Sequence, residues 1–139
     1  MTDVFTKAKR SEVMSLIKGR DTQPERAVRS MLHRMGYRFR LHRSDLPGKP
    51  DLALSRYRTV IFVHGCFWHR HQGCRFAYTP KTRRDFWVTK LESNVTRDLF
   101  VKKELRKLGW HVLTVWECEL RNTDRLERRL AVALKKVVQ

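Results

Sequence analysis

The segment Val63-His-Gly-Cys-Phe-Trp-His-Arg-His-Gln-Gly-Cys74 holds three of the chain's six histidines and two of its three cysteines. Thiolates and imidazoles are the donors that zinc prefers. Cys66, His71 and Cys74 supply three of them in one short stretch, and Cys118 offers a fourth just past a later apolar run. A closed site with four soft ligands is usually structural, and here it would pin a polar segment with too few apolar residues to order itself. His69 is an alternative to His71 as the imidazole ligand, and spacing leaves the two open. The choice decides which histidine stays free for proton transfer. A competing reading makes Cys118 a small buried apolar residue and turns the histidines toward phosphates.

Carboxylates are scarce, 14 in all. Asp51 follows Pro-Gly-Lys-Pro and opens an apolar strand, where packing gives no reason for an ionised group; it suits a hard cation such as Mg²⁺, or a turn. Glu25 sits in the first turn of a helix, where positioning metal or water competes with a capping role opposite Thr22. Asn94, Arg97 and Asp98 fall at i, i+3 and i+4, on one helix face. An Asp that holds one imidazole nitrogen fixes the tautomer and raises the basicity of the other. His69 with Asp98 would therefore form a general-base pair, the alternative being a solvated face with an Asp–Arg pair.

These groups need a scaffold. Thr22-Gln-Pro-Glu25 has a capping-box pattern, and Ala27, Val28, Met31, Leu32 and Met35 recur at helical spacing until Gly36. Tyr37, Phe39 and Leu41 alternate with Arg38, Arg40 and His42 at the period of a strand. After the turn Leu46-Pro-Gly-Lys-Pro50, Asp51–Leu54 and Thr59–His64 read as two apolar strands joined by a short polar connection, a hairpin. A long loop is expected from Gly65 to about Trp87, then a helix over Lys90–Leu108 ended by Gly109. A strand over Trp110–Trp116 and a helix over Asp124–Val138 follow, the latter with Leu126, Leu130, Ala133, Leu134 and Val137 inward. A short basic helix over Arg10–Lys18 precedes them all. The order α-α-β-β-β-α-β-α predicts an α/β fold with a mixed β-sheet flanked by helices.

The chain has 139 residues, enough for one domain that removes roughly 68% of its unfolded surface from water. A single domain over 1–139 is expected, with 1–20 as a basic N-terminal arm and helix. Neither a ~20-residue apolar span nor the apolar run of a signal peptide occurs, so a cytoplasmic protein without a membrane partner is expected. Lys and Arg number 31 against the 14 acids, a net +17 spread along the chain, and the surface must attract a polyanion.

At Pro50-Asp51, Val60-Ile-Phe-Val-His-Gly-Cys-Phe-Trp-His69 and Val115-Trp-Glu-Cys118 the sequence resembles the very-short-patch repair (Vsr) endonucleases, over Thr6 to about Leu134. The resemblance implies a restriction-endonuclease-like core with a structural zinc site. It also implies an Mg²⁺-dependent enzyme that nicks double-stranded DNA 5′ of the T in T·G mismatches left by deamination of 5-methylcytosine. Carried onto this chain, Asp51 and the Val63 backbone carbonyl would hold Mg²⁺. His64 stands where related nucleases carry a catalytic Lys, and His69, oriented by Asp98, matches the general base. Glu25 would act through metal-bound water. The implied zinc set is Cys66, His71, Cys74 and Cys118, which frees His69. Phe67, Trp68 and Trp87 resemble the wedge that enters the base stack, and the basic first helix with Met14 is similar to the segment that reaches the minor groove. A bacterial-type, nucleoid-associated monomer is expected, with repair proteins as possible partners. The rivals are a restriction-type nuclease that cuts both strands and a zinc-stabilised DNA-binding protein without hydrolytic activity.

Overall fold

The computed structural model describes residues 22–138. The expected basic helix and Met14 lie outside the described residues. Helix α1 (Gln23–Arg34) starts as its sequence predicts: Thr22 is the N-cap, and its hydroxyl accepts the Glu25 N–H at 3.4 Å. It stops at Gly36, whose φ of +92° is cheap only without a Cβ. Tyr37 N–H then bonds back to the Leu32 carbonyl.

Four strands follow in spatial order β1 (Arg40–Leu41), β2 (Leu52–Leu54), β3 (Thr59–His64) and β4 (His111–Trp116). The first two pairings are antiparallel and the last is parallel. The β2–β3 hairpin is confirmed, turning through a 3₁₀ segment at Ser55–Tyr57 and a left-handed Arg58. The strand expected over Tyr37–His42 shrinks to two residues. Phe39 lies where the β1–β2 ladder would reach Leu54, the last residue of β2, and beyond it the partner chain has left the sheet for the 3₁₀ turn. Tyr37 packs edge-on against Tyr57 in that turn instead, ring centroids 5.3 Å apart.

Helix α2 (Arg84–Lys107) links the parallel pair and begins six residues earlier than Lys90, the expected start. Trp87 is therefore in its first turn and not in the loop. Apolar periodicity hides this end, because only Leu91, Asn94 and Leu105 of the whole helix are buried. Helix α3 (Thr123–Val138) closes the described chain. Among the described residues no helix is long and apolar enough to cross a membrane.

Strand alternation sorts the core onto two faces. Leu52, Leu54, Ile61 and Val115 meet Val28, Met31 and Leu32 of α1 and Leu126, Leu130 and Leu134 of α3. Ala53, Val60 and Phe62 point the other way, toward Leu105 of α2, Trp110 and Leu46. Each fully buried Leu or Ile contributes about 1.5–3 kcal/mol, so both layers bind the sheet strongly. Helix α2 comes so close to the β1–β2 connection that a Cβ at Gly48 would collide with the Val101 side chain, and Gly48 also has φ +73°.

Candidate functional site

The parallel pairing decides what meets what. Register runs from Thr59 opposite His111 to His64 opposite Trp116, so the chain leaves both strands at the same sheet end. Cys66 and Cys118 each lie two residues further on. The ends of parallel strands are where open α/β sheets gather their sites, and here two sites form side by side.

The first is the cysteine cluster. The donor atoms of Cys66, His71, Cys74 and Cys118 all lie within 4.8 Å of one another, with His71 Nδ1 3.5 Å from Cys118 Sγ. His71 joins the cysteines, and His69 points elsewhere. Two turns fold the loop to this end: His71 N–H bonds to the Cys66 carbonyl at 3.0 Å, and Cys74 N–H to the His71 carbonyl at 3.2 Å. Between them Arg70 and Gly73 take left-handed φ values of +48° and +74°. His71 stacks on Trp116, centroids 4.1 Å apart. The 3₁₀ turn carrying Cys118 is braced by Glu119, which accepts the Trp116 N–H and both Nε and Nη2 of Arg129 on α3. Burial pushes the Cys66 thiol up to about 12 and raises Cys118, while the backbone N–H of Phe76 lowers Cys74. Three thiols this close cannot all ionise without a compensating cation, and a soft-donor set of this kind suits a zinc-like ion.

The second is a cleft of about 930 Å³ between α1, the β3 end and α2. Its walls include Glu25, Lys49, Asp51, His64, His69 and Asp98. Asp51 and the histidine-bearing loop therefore share one cavity. Asp51 Oδ2 accepts the Val63 N–H at 2.6 Å. Within a strand the N–H and C=O of a residue leave on the same side, so the Val63 carbonyl faces this region too, past the last β2–β3 pair at Ile61. Glu25 is 8% exposed, and His42 Nε2 lies 3.3 Å from its Oε2 and 4.0 Å from Asp51 Oδ1. Burial, with the neighbouring Glu25 charge adding to it and the Val63 N–H opposing, raises Asp51 from 3.8 to about 7. A cation would reverse that penalty, and hard carboxylate and carbonyl oxygens fit Mg²⁺.

Across the cleft, His69 Nδ1 donates to Asp98 Oδ2 at 2.7 Å. His64 stacks on His69, centroids 3.7 Å apart and planes 4° from parallel. Burial, then the adjacent His69, pushes His64 down to about 3, so it is neutral near pH 7 and lacks the permanent charge of a Lys. Asn94 bonds from α2 to the Trp68 carbonyl at 3.0 Å and accepts Arg97 Nη2 at 2.9 Å, which fastens the loop to the helix beside the His69–Asp98 pair. The face predicted for Asn94, Arg97 and Asp98 is thus turned to the cleft.

Phe67, Trp68 and Trp87 form one aromatic cluster at its rim, centroids 5.1–5.9 Å apart, with Tyr78 and Phe86 packed against Phe67 and Trp87. Tyr78 and Phe86 are 60% and 48% exposed and did not stand out in the sequence. Neither did His42, which resembles one more basic residue on a strand face; its position beside Asp51 depends on a left-handed turn at φ +46°.

Comparison with known proteins agrees with this architecture. The family model described as DNA mismatch endonuclease Vsr matches residues 2–75. A Type II nicking enzyme, V.XorIIP of Xanthomonas oryzae pv. oryzae, is 50% identical over 130 residues, covering 94% of this chain and 95% of that one. The DNA mismatch endonuclease Vsr of Escherichia coli strain K12 is 47% identical over 126 residues, 91% of this chain and 80% of its own. Among solved structures, the catalytic domain of the homing endonuclease I-Bth0305I superposes with a TM-score of 0.61, covering 86% of this chain and all of that domain. At 21% identity that likeness establishes the fold, a restriction-endonuclease-like core.

Proposed function

The chain belongs to the Vsr family of DNA mismatch endonucleases and is a DNA-nicking endonuclease, and from that premise we propose that it cuts one strand 5′ of the T in a T·G mismatch, with Mg²⁺ as its catalytic ion. The observation that carries the reading is the shared cleft, with an aspartate of raised affinity for positive charge on one wall and an Asp-oriented histidine on the other.

Asp51 and the Val63 carbonyl would hold Mg²⁺, with Glu25 adjacent. Bound there, the ion supplies charge stabilisation to the phosphate and the leaving oxygen. With Nδ1 committed to Asp98, His69 presents Nε2 as acceptor, and it takes the proton from the water whose oxygen attacks phosphorus as the P–O bond to the leaving strand breaks. His64, neutral and stacked on His69, fixes the plane of that ring and adds no charge. The cationic side chains on the cleft wall, Lys49, Lys90, Arg97 and Lys102, attract the backbone.

Cys66, His71, Cys74 and Cys118 would hold Zn²⁺, which ties the loop bearing Phe67, Trp68 and His69 to the end of β4. Phe67, Trp68 and Trp87 form the wedge: a wobble pair stacks less well than a matched pair, so inserting aromatics beside it costs less. Met14 and the basic arm belong to the same proposal as a minor-groove contact. The protein acts as a single domain and a monomer in the bacterial cytoplasm. The test is a set of labelled duplexes carrying T·G, T·A or C·G at one position in varied flanks, with and without Mg²⁺. One Mg²⁺-dependent nick 5′ of the mismatched T is expected. Double-strand cleavage of matched DNA would establish the restriction-type rival, and salt-sensitive binding without a nick the non-catalytic one.

A further inference from the structure

Beyond Asp51 and Val63, the structure assigns His42 as an imidazole ligand in the same pocket, which makes it a mixed nitrogen–oxygen site able to take a first-row transition ion such as Mn²⁺ as well as Mg²⁺. The inference rests on the reading of Asp51 as a cation ligand and names a residue that this reading does not include. Its basis is geometric. The Nε2 atom of His42 and carboxylate oxygens of Glu25 and Asp51 all lie within 4.8 Å of one another, the spread expected of donors around a single ion with bonds of ~2.0–2.3 Å. The three side chains come from three separate places: the first turn of α1, the residue after β1 and the residue before β2.

Their enclosure is similar, with side-chain exposures of 11% for Glu25, 14% for His42 and 18% for Asp51. Two carboxylates confined in this way repel each other, and a shared cation relieves that repulsion. The third donor of the cluster is an imidazole, which first-row transition ions accept and Mg²⁺ seldom recruits. The fold also holds the ring in place. His42 adopts φ +46°, and its N–H bonds to the Asp51 carbonyl at 3.3 Å, so the backbone that aims the imidazole is attached to the residue it serves.

Mn²⁺ is the appropriate probe, because thiolate sites bind it weakly and the zinc-loaded full chain can be used. Titration of wild type, His42→Gln and Asp51→Asn, followed by isothermal calorimetry and by electron spin-echo modulation of the bound ion, separates the cases. In wild type we expect one Mn²⁺ held more tightly than Mg²⁺, with the modulation of a directly coordinated imidazole nitrogen. In His42→Gln that signature should disappear and Mn²⁺ affinity fall by about tenfold, with zinc content and the far-ultraviolet spectrum unchanged. Bound Mn²⁺ that needs Asp51 but shows no nitrogen signal, or a nitrogen signal that survives in His42→Gln, overturns the assignment of His42 and leaves Asp51 as a ligand. Mn²⁺ binding that survives in Asp51→Asn overturns the underlying reading of Asp51 as well.

Discussion

Replacing Asp51 by Asn should stabilise the magnesium-free protein while abolishing nicking. The carboxylate is held where burial and Glu25 disfavour its charge, raising it from 3.8 to about 7. A folded-state value above the unfolded one means that the group favours folding below about pH 4, and this contribution is lost as pH rises through about 7. At ~1.4 kcal/mol per pH unit between the two values, the cost approaches a ceiling of ~4 kcal/mol once the group is ionised. Proton sharing with Glu25 and entry of water reduce this to ~2 kcal/mol. Asn keeps an oxygen for the Val63 N–H and turns an NH₂ toward Glu25, so the packing need not change. Urea unfolding of zinc-loaded wild type and Asp51→Asn, without magnesium, should show a margin in favour of Asn that grows by ~2–4 kcal/mol between pH 4 and pH 8. Mg²⁺ should then stabilise the wild type alone. A margin that stays constant with pH, or an Asn variant less stable than wild type at pH 8, would show that Asp51 is not held in its charged form at a cost, and the electrostatic argument for a cation would fail.

Three more expectations follow from contacts in the cleft and in the cysteine cluster beside it. His69→Gln should slow nicking by about 10²–10⁴-fold with duplex affinity nearly unchanged, and Asp98→Asn should also slow it by releasing the ring tautomer; single-turnover rates beside binding curves check both. Phe67→Ala with Trp68→Ala should reduce preference for T·G over T·A by about ten- to a hundredfold, equivalent to ~1–3 kcal/mol, and an unchanged ratio in competition assays would exclude the wedge. Cys74→Ser should lower the zinc content measured by elemental analysis and lower the melting temperature, with larger loss of order in the loop around His69 than in the Leu52–Leu54 core, as read by hydrogen exchange.

Much of the fold was legible because local rules governed it. The Thr22 cap, the Gly36 stop, the β2–β3 hairpin and the inward Leu126, Leu130 and Leu134 of α3 each follow from backbone needs or from one periodicity. The signal failed where an element had no single apolar face. Helix α2 has one side on a polar cleft and much of the rest in water, so in sequence its first turn, with Trp87, has the character of a loop. The alternation from Tyr37 runs beyond the strand because it serves packing against the core, while hydrogen bonding depends on a partner that turns away after Leu54.

By itself the sequence determined the chemical inventory: three thiols and clustered imidazoles, an aspartate that packing could not explain, an Asp at helical spacing from Asn94, and a +17 charge that calls for a polyanion. Which groups meet was decided only in three dimensions. Spacing leaves His69 and His71 equivalent as ligands, and the left-handed turn at Arg70 separates them, sending one to the cysteines and the other to Asp98. His42 joins Glu25 and Asp51 across sequence separations that no motif spans. The physical reason is that donor types are properties of single residues, whereas coordination and proton transfer require distances of a few ångströms, and these are set by strand register and by the direction in which each turn leaves the sheet.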